Sequence, residues 1–310
     1  MIGHAIYIAL EVLVALACCL GNTLVVCAVW MNRSLRQPTF LFVVSLAVAD
    51  FLVGAVAIPL AIVLEQGVVL PVCGCLFICC ILLVLTQSSV LSLLAIAVDR
   101  YLRVRLPHRY KRIATQRHSW LAVALCWFIA CILGFTPLFG WHKDVPNNKT
   151  MECKFTDVMD MSYMVYFNFF GCILPPLLAM MILYVQVFRT IRKHLRENMA
   201  GSQESFYLKE ANLAQSLALV LVLFAICWLP LHLMNCAFHF DSKAPKFVFY
   251  IGILLSHVNS AVNPVVYAFK IRKFQSAYLA IWRRYVLCQS EEVSQGEQSA
   301  DILASSAPNR

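Results

Sequence analysis

The sequence predicts an all-α membrane protein, a seven-transmembrane helix bundle with a short amphipathic cytosolic helix after the last span. Hydrophobic residues make up 61% of the 310 residues and charged residues only 13%, whereas soluble domains usually carry about a quarter charged residues. Seven long apolar segments follow one another, and each exceeds the ~20 residues with which a helix crosses a bilayer. The Lys and Arg residues are concentrated on alternate connections between these segments.

Each predicted span is an apolar run between polar connections. The spans cover about residues 5–30, 40–63, 72–104, 119–141, 160–191, 211–240 and 247–269. We therefore assign residues 1–270 to one seven-transmembrane domain. The connections are short, and no internal repeat is visible. Since many transporters are built from repeated halves, this pattern disfavours a transporter.

The distribution of basic residues predicts the orientation of the bundle. With the N-terminus outside, the cytosolic connections and tail receive all but five of the 25 Lys and Arg residues. This bias follows the positive-inside rule, so we expect an extracellular N-terminus and a cytosolic C-terminus in the plasma membrane. The net charge of +9 then reflects topology in the bilayer and not a nucleic-acid partner. No basic region precedes the first span, which we expect to act as its own signal.

The outer connections carry candidate sites of covalent modification. Three of the 14 cysteines, Cys73, Cys75 and Cys153, face the oxidising side, where disulfides form. We expect a bridge from Cys153 to the top of the third span, with Cys75 as the preferred partner and Cys73 as the alternative. Asn148 begins an Asn-Lys-Thr glycosylation sequon.

An amphipathic segment, residues 271–288, follows the last span. Its apolar residues recur at helical spacing beside Lys and Arg: Phe274, Tyr278, Ile281 and Trp282. This pattern is typical of a helix that lies on a membrane surface. Cys288 at its end is a palmitoylation candidate, with an unmodified cysteine as the alternative. The polar residues 289–310 are predicted to be a disordered cytosolic tail.

Polar side chains inside the spans are candidate functional residues because burying them in hydrocarbon is costly. A rise of about 1.5 Å per residue separates them into two layers. The outer layer, facing a cavity open to the outside, comprises Glu11, Thr86, Asn168, His232, Asn235, Ser256 and His257. The layer near mid-depth comprises Asn22, Asp50, Ser89, Asn259 and Asn263. We expect that the second layer holds a cation around Asp50.

Four motifs resemble those of the rhodopsin-like G-protein-coupled receptors. They are "SLAVAD", "AIAVDRYLRV", "CWLP" and "NSAVNPVVYAF". Longer runs, among them "LTQSSVLSLLAIAVDRYLRV", "WLPLHLMNC" and "ILLSHVNSAVNPVVYAF", are similar to the adenosine receptors. The resemblance covers about residues 5–288 and implies a receptor, not an enzyme, that binds extracellular adenosine and activates a heterotrimeric G protein.

The resemblance implies a purine-binding role for the outer layer. Asn235 is expected to hold adenine with two hydrogen bonds, because an asparagine amide matches the N–H donor and N7 acceptor of adenine. Its alternative role is a contact between helices. Phe155 is expected to stack on the purine, and Leu231 to close the opposite face. The other expected pocket residues are Leu82, Leu83, Met164, Asn168, Trp228, His232 and Ile253.

The same resemblance assigns the ribose end and the ion site. The expected partners of the ribose end are Thr86, Ser256 and His257. Glu11 should pair with His257, so that each buried group gains a partner. The expected sodium ligands are Asp50, Ser89, Asn259 and Asn263. Sodium would favour the inactive state, and the alternative is that Asp50 is a neutral buried carboxyl. No other cofactor is implied.

At the cytosolic side the resemblance implies a switch. Asp99 should pair with Arg100 in the resting state, and Glu210 should also reach Arg100. Activation would break these contacts and swing the sixth span outward about a hinge at Pro230. The other residues assigned to coupling are Tyr101, Tyr184 and Tyr267.

Details within the family indicate an inhibitory, subtype-three-like adenosine receptor. The "DRYLRV" run resembles subtypes one and three. Thr156 stands where many adenosine receptors have glutamate, so the salt bridge of that glutamate is not expected. Leu82, Ser256 and the short loop 241–246 also resemble subtype three. Gln87, Asn168 and His232 resemble the other subtypes.

The alternatives are a stimulatory adenosine receptor, a receptor for another nucleoside and a transporter. An aminergic receptor would carry an aspartate where this chain has Leu82, and an opsin would carry a lysine within 247–269. Both are therefore disfavoured.

Overall fold

The computed structural model describes residues 2–32, 35–144, 150–197, 202–240 and 246–285. Within these residues, seven helices are long and apolar enough to cross a membrane. In chain order, the first to seventh membrane helices are Ile2–Met31, Pro38–Glu65, Val72–Arg105, Gln116–Phe139, Tyr163–Arg196, Ser202–Phe240 and Lys246–Lys270. The predicted fold class is thereby confirmed. Asn148, Cys288 and residues 289–310 lie outside the described residues.

Short elements join and follow the membrane helices. The helix Pro107–Ile113 connects the third and fourth membrane helices, and Phe155–Val158 lies in the second outer connection. Strands Val69–Pro71 and Thr150–Glu152 pair antiparallel, with Val69 opposite Glu152. After the seventh membrane helix, Arg272–Tyr285 forms a separate helix that buries Phe274 and Ala277. It also exposes Leu279, Trp282 and Tyr285, large side chains of the kind that a surface helix inserts into a membrane.

Prolines alter the geometry of several membrane helices. A π-helical turn, Val53–Ala57, precedes Pro59 in the second helix. A longer π-helical segment, Tyr163–Ile173, precedes Pro175 in the fifth. Proline lacks the N–H that an α-helix needs and clashes with the preceding turn, so the helix widens before it. The π-helical segment of the fifth helix places both Asn168 and Phe169 in the interior. Pro230 and Pro264 lie within continuous helices.

The third membrane helix is the central element of the bundle. It packs against the second, fourth, fifth and sixth helices, and two-thirds of its most apolar stretch is buried, as in the second helix, compared with 17% in the fourth. Peripheral helices expose large apolar side chains at helical spacing, such as Leu13, Leu16 and Leu20 of the first. Such faces match a hydrocarbon environment. Residues on the third helix are therefore positioned to contact residues at both ends of the bundle.

A disulfide fixes the second outer connection to the third helix. It joins Cys75 to Cys153, with their Cα atoms 5.5 Å apart. The preferred pairing is confirmed, because Cys73 is exposed and carries a free thiol. Two residues along a helix turn the side chain by about 200°, so Cys73 points away when Cys75 faces the bundle. The bridge holds Phe155, two residues after Cys153, near the start of the third helix.

The third and fourth helices approach each other closely at Gly134. A Cβ atom at Gly134 would lie 2.5 Å from Cγ2 of Val84 and 2.6 Å from its backbone nitrogen. Backbone atoms cannot rotate away, so Gly134→Ala should separate the helices and destabilise the bundle by about 1–3 kcal/mol. The purified variant should lose its fold at a temperature several degrees lower in a thiol-reactive melting assay.

Gly171→Ala is the matched control, because the nearest atom to a Cβ there is the Tyr166 carbonyl oxygen at 3.6 Å. This variant should melt like the native chain. Equal melting temperatures for both variants would show that the close approach at Gly134 does not limit stability.

Candidate functional site

The outer half of the bundle brings together predicted pocket residues from the third helix, the fifth helix and the second outer connection. Phe155 begins the short helix directly after the disulfide, and it packs on the hydrophobic cluster that contains Leu83, Met164 and Cys153. Leu82 contacts the same cluster. Phe155 is half-buried, so one side of the ring packs on protein and the rest is accessible.

Polar residues link the third and fifth helices just below this cluster. The Gln87 amide donates a hydrogen bond to Oδ1 of Asn168 at 2.8 Å, and both side chains are buried. Gln87 was not predicted as a pocket residue, although it is a polar side chain inside a span. Thr86 turns its hydroxyl to the Leu82 carbonyl of its own helix, at 3.0 Å. Its expected contact with the ribose end of a ligand stays a prediction.

An aromatic stack connects the fifth and sixth helices. The His232 ring lies parallel to Phe169, with centroids 5.0 Å apart, and also stacks on Trp228 at 5.8 Å. His232 is 2% exposed, and neither ring nitrogen has a hydrogen-bond partner among the described residues. Stacking thus fixes the orientation of His232 and leaves both nitrogens free to contact a polar group. Phe169 was not predicted, since one phenylalanine in an apolar run has no distinguishing signal.

The sixth and seventh helices meet at Leu231 and Gly252. A Cβ at Gly252 would lie 3.4 Å from Leu231 Cα. Leu231 therefore packs beside Gly252, the residue that precedes Ile253. Asn235 lies one turn further out and is 8% exposed. Its amide makes no hydrogen bond to any residue that the structure describes. The alternative role of Asn235, a polar contact between helices, is therefore not seen.

Polar side chains connect the seventh helix to the first. His257 and Glu11 lie 2.7 Å apart between Nδ1 and Oε2, as the predicted pairing requires. Ser256 donates to the Ile253 carbonyl at 2.7 Å.

A second contact between these helices, nearer the outside, was missed. The rings of Tyr7 and Tyr250 are 4.7 Å apart, and the Tyr250 hydroxyl donates to Glu65. Tyrosines at the ends of apolar runs are common, so the sequence offers no signal for this contact.

The mid-depth layer is built around Asp50. The Asn263 amide donates to Asp50 Oδ2 at 2.6 Å. Ser89 donates to the Leu85 carbonyl of its own helix at 3.2 Å. Four buried oxygens of this layer have no donor among the described residues: Asn22 Oδ1, Asp50 Oδ1, Asn259 Oδ1 and Asn263 Oδ1. Oxygen acceptors of this kind suit a hard cation, so the residues fit an ion such as sodium.

At the end of the bundle opposite the disulfide, Arg100 is enclosed by carboxylates. Its side chain lies 2.5 Å from Asp99 and 3.0 Å from Glu210, as predicted. Glu210 also accepts a 2.8 Å hydrogen bond from Arg103. A carboxylate on the sixth helix thus binds two cations of the third, which holds the two helices together.

Two further partners of Asp99 were not predicted. Thr39 donates to Asp99 at 2.7 Å, and the Tyr110 hydroxyl donates to it at 2.8 Å. Burial and the adjacent carboxylate raise the pKa of Tyr110, so the phenol stays protonated as a donor. The predicted coupling residues Tyr184 and Tyr267 are buried in the main core, whereas Tyr101 packs on a separate cluster that contains Val104 and Ile191.

Comparison with known proteins shows what the chain is similar to. Residues 21–267 match the family model described as "7 transmembrane receptor (rhodopsin family)". Adenosine receptor A3 of Canis lupus familiaris is 47% identical over 94% of this chain and 95% of its own length. The receptors of the same name from Ovis aries and Bos taurus are 50% and 49% identical, each over 91% of both chains.

Proposed function

Because the chain belongs to the rhodopsin family of seven-transmembrane receptors and, within it, to the adenosine receptors, we propose that it couples extracellular adenosine to an inhibitory G protein in the plasma membrane. One observation carries the ligand assignment. The buried Asn235 amide has no hydrogen bond to the described protein and lies on the same helix face as His232. An amide so placed can recognise the adenine edge of adenosine with both its donor and its acceptor.

The pocket supplies the remaining contacts by position. Phe155 offers an accessible ring face for stacking above the purine, held there by the Cys75–Cys153 disulfide. Leu231 closes the other face. At the ribose end, Glu11 accepts from His257, which orients the imidazole so that its other nitrogen can bond a ribose hydroxyl. Apolar side chains would thus contact the two faces of the base, and polar side chains would contact the sugar.

Signalling requires that ligand binding reaches the cytosolic side. The stack of His232 and Trp228 lies beside Pro230, where the sixth helix lacks one backbone hydrogen bond. A shift of this stack can change the bend of the helix, and Glu210 at its cytosolic end then leaves Arg100 and Arg103. The freed cleft between the third and sixth helices would receive the G protein.

The orientation in the membrane has independent support. The disulfide lies at the end of the bundle that contains the proposed pocket, and disulfides persist in oxidising compartments. The predicted positive-inside bias gives the same answer. The pocket therefore opens to the extracellular side, and the Arg100 cluster faces the cytosol.

The proposal is tested by measuring cyclic AMP in cells that express the chain, after adenylate cyclase has been stimulated. Adenosine should lower cyclic AMP only in the transfected cells, and pertussis toxin, which inactivates inhibitory G proteins, should abolish the fall. A rise would retain the ligand and contradict the G-protein class. No response, with receptor confirmed at the cell surface, would refute the adenosine assignment.

Sodium is proposed as an allosteric ligand of the mid-depth layer, held by Asp50 with the amide oxygens of Asn259 and Asn263. The ion would gain these contacts only while the helices are closely packed, so it would favour the resting state and weaken agonist binding. Asp50→Asn should therefore remove the sodium dependence of agonist affinity, which we expect to be at least about fivefold in the native chain.

The measurement is the agonist Kd with sodium and with choline at equal ionic strength. Glu65→Gln is the control, because it removes a carboxylate from the outer end of the bundle and should keep the sodium effect. An unchanged sodium dependence in Asp50→Asn would mean that Asp50 does not bind the ion.

A further inference from the structure

The outward face of the fifth membrane helix is defined by exposed apolar side chains. Leu178, Met181, Ile182 and Val185 are between 47% and 58% exposed. They recur at intervals of three, one and three residues, which is the spacing of one helix face. The opposite face, including Tyr184, packs into the core. This outward face is the part of the fifth helix that contacts lipid.

The same face becomes cationic at its cytosolic end. Arg189 lies four residues after Val185, and the spacing continues through an exposed set: Arg189, Arg192, Lys193 and Arg196. From Arg189 to Arg196 the helix rises by only about 10 Å. The four cations therefore point toward lipid and lie just beyond the apolar part of the face, at the depth of the headgroups of the inner leaflet.

These cations line a shallow cavity of about 460 Å³ together with Glu197. Glu197 lies 3.8 Å from Lys193 and 3.5 Å from His194. No carboxylate of the described residues pairs with Arg189, Arg192 or Arg196. Three guanidinium groups thus converge on one cavity without a protein partner. Guanidinium groups bind phosphate through two parallel hydrogen bonds, and a cluster of them favours a ligand with several phosphates.

We propose that this face of the fifth helix, Arg189–Arg196, binds the phosphorylated headgroup of a phosphoinositide in the inner leaflet. The proposal rests on the orientation proposed above, which places this end of the helix in the cytosol. A G protein would approach Arg100 within the bundle, whereas these side chains point outward, so the position favours a lipid. The bound headgroup anchors the cytosolic end of the fifth helix to the membrane surface.

The test uses the full chain, purified and reconstituted into phosphatidylcholine nanodiscs, with a fluorescent phosphatidylinositol 4,5-bisphosphate as probe. The native chain should bind it more tightly than phosphatidylserine supplied at equal total charge. Arg189→Gln/Arg192→Gln/Arg196→Gln should weaken binding of the probe at least tenfold, since each basic residue near an anionic surface contributes roughly a factor of five. A thiol-reactive melting assay confirms that the variant is folded.

The control is Arg109→Gln/Arg112→Gln, which removes exposed cations of the helix Pro107–Ile113 and should leave probe affinity within about twofold. Unchanged affinity in the triple variant would overturn the proposal, as would equal binding of phosphatidylserine at matched charge. Slower G-protein activation by the triple variant in discs without phosphoinositide, with probe binding unchanged, would assign the face to a protein partner instead. The probe-binding measurement itself contains neither adenosine nor G protein, so its result is separate from that of the cyclic AMP experiment.

Discussion

Replacing Asn235 with alanine should greatly weaken adenosine binding while leaving the receptor folded at the cell surface. The substitution removes a bidentate contact, which discriminates among bases by about 1–3 kcal/mol. It also leaves the polar edge of a buried adenine unpaired, at a further cost of about 1–3 kcal/mol. The two effects together, about 2–6 kcal/mol, correspond to a loss of affinity of roughly 30-fold or more, measured as Kd in radioligand binding to membranes.

Asn212→Ala is the matched control, because Asn212 is an exposed asparagine near the start of the same helix. It should bind adenosine like the native chain. A second comparison isolates the adenine edge: inosine lacks the exocyclic amine that Asn235 should contact. The native receptor should prefer adenosine to inosine, and Asn235→Ala should lose most of that preference. Native affinity in Asn235→Ala would assign this residue to helix packing.

The membrane helices could be predicted because their signal is the length of an apolar run, which does not depend on how the helices are rotated. Contacts between helices depend on that rotation, and a single sequence specifies it only where polar and apolar faces differ. Glu11 and His257 were paired correctly because each is costly to bury alone. The choice of Cys75 over Cys73 became definite only when the structure showed which side of the third helix faces the bundle.

The residues that sequence reasoning missed share a physical reason. Phe169 lies in an apolar run, so nothing in the sequence separates it from neighbours that face lipid. The hydrogen bond between Gln87 and Asn168 depends on the π-helical segment of the fifth helix, which changes the residues that face the interior. A prediction that assumes 3.6 residues per turn cannot show this change. Thr39 and Tyr110 reach Asp99 from two other elements, the second membrane helix and the helix Pro107–Ile113. Each is therefore a product of tertiary packing.

The outer-layer residues show which part of the site could be predicted from the chemistry of single side chains. Polar side chains in hydrocarbon identified Asn235, His232 and His257, but they could not identify the apolar walls of the pocket. Phe155, Leu231 and Met164 were assigned only through the resemblance to a family. The structure then brings Phe155 and Met164 into one cluster. Polar side chains within apolar spans thus indicate where a membrane pocket lies, whereas the packing of apolar side chains determines its shape.

The second large effect is expected at the cytosolic end, where Glu210→Gln should raise signalling in the absence of ligand. Arg100 is completely buried, and Glu210 bonds both it and Arg103. Breaking a buried ion pair by neutralising one partner costs about 3–5 kcal/mol, and this cost falls on the resting arrangement in which the pair exists. Asp99 remains beside Arg100 and retains part of the restraint, so we expect a severalfold rise in basal activity and not a complete switch.

The measurement is ligand-independent lowering of cyclic AMP, normalised to receptor number at the surface. Glu204→Gln is the control, since Glu204 is exposed in the first turn of the same helix and should not change basal activity. If the contact restrains the sixth helix, Glu210→Gln must also bind adenosine more tightly, because a larger fraction of receptors already occupies the active arrangement. Higher basal activity without tighter agonist binding would violate this linkage, and Glu210 would then act on the G protein directly instead of on the conformational equilibrium.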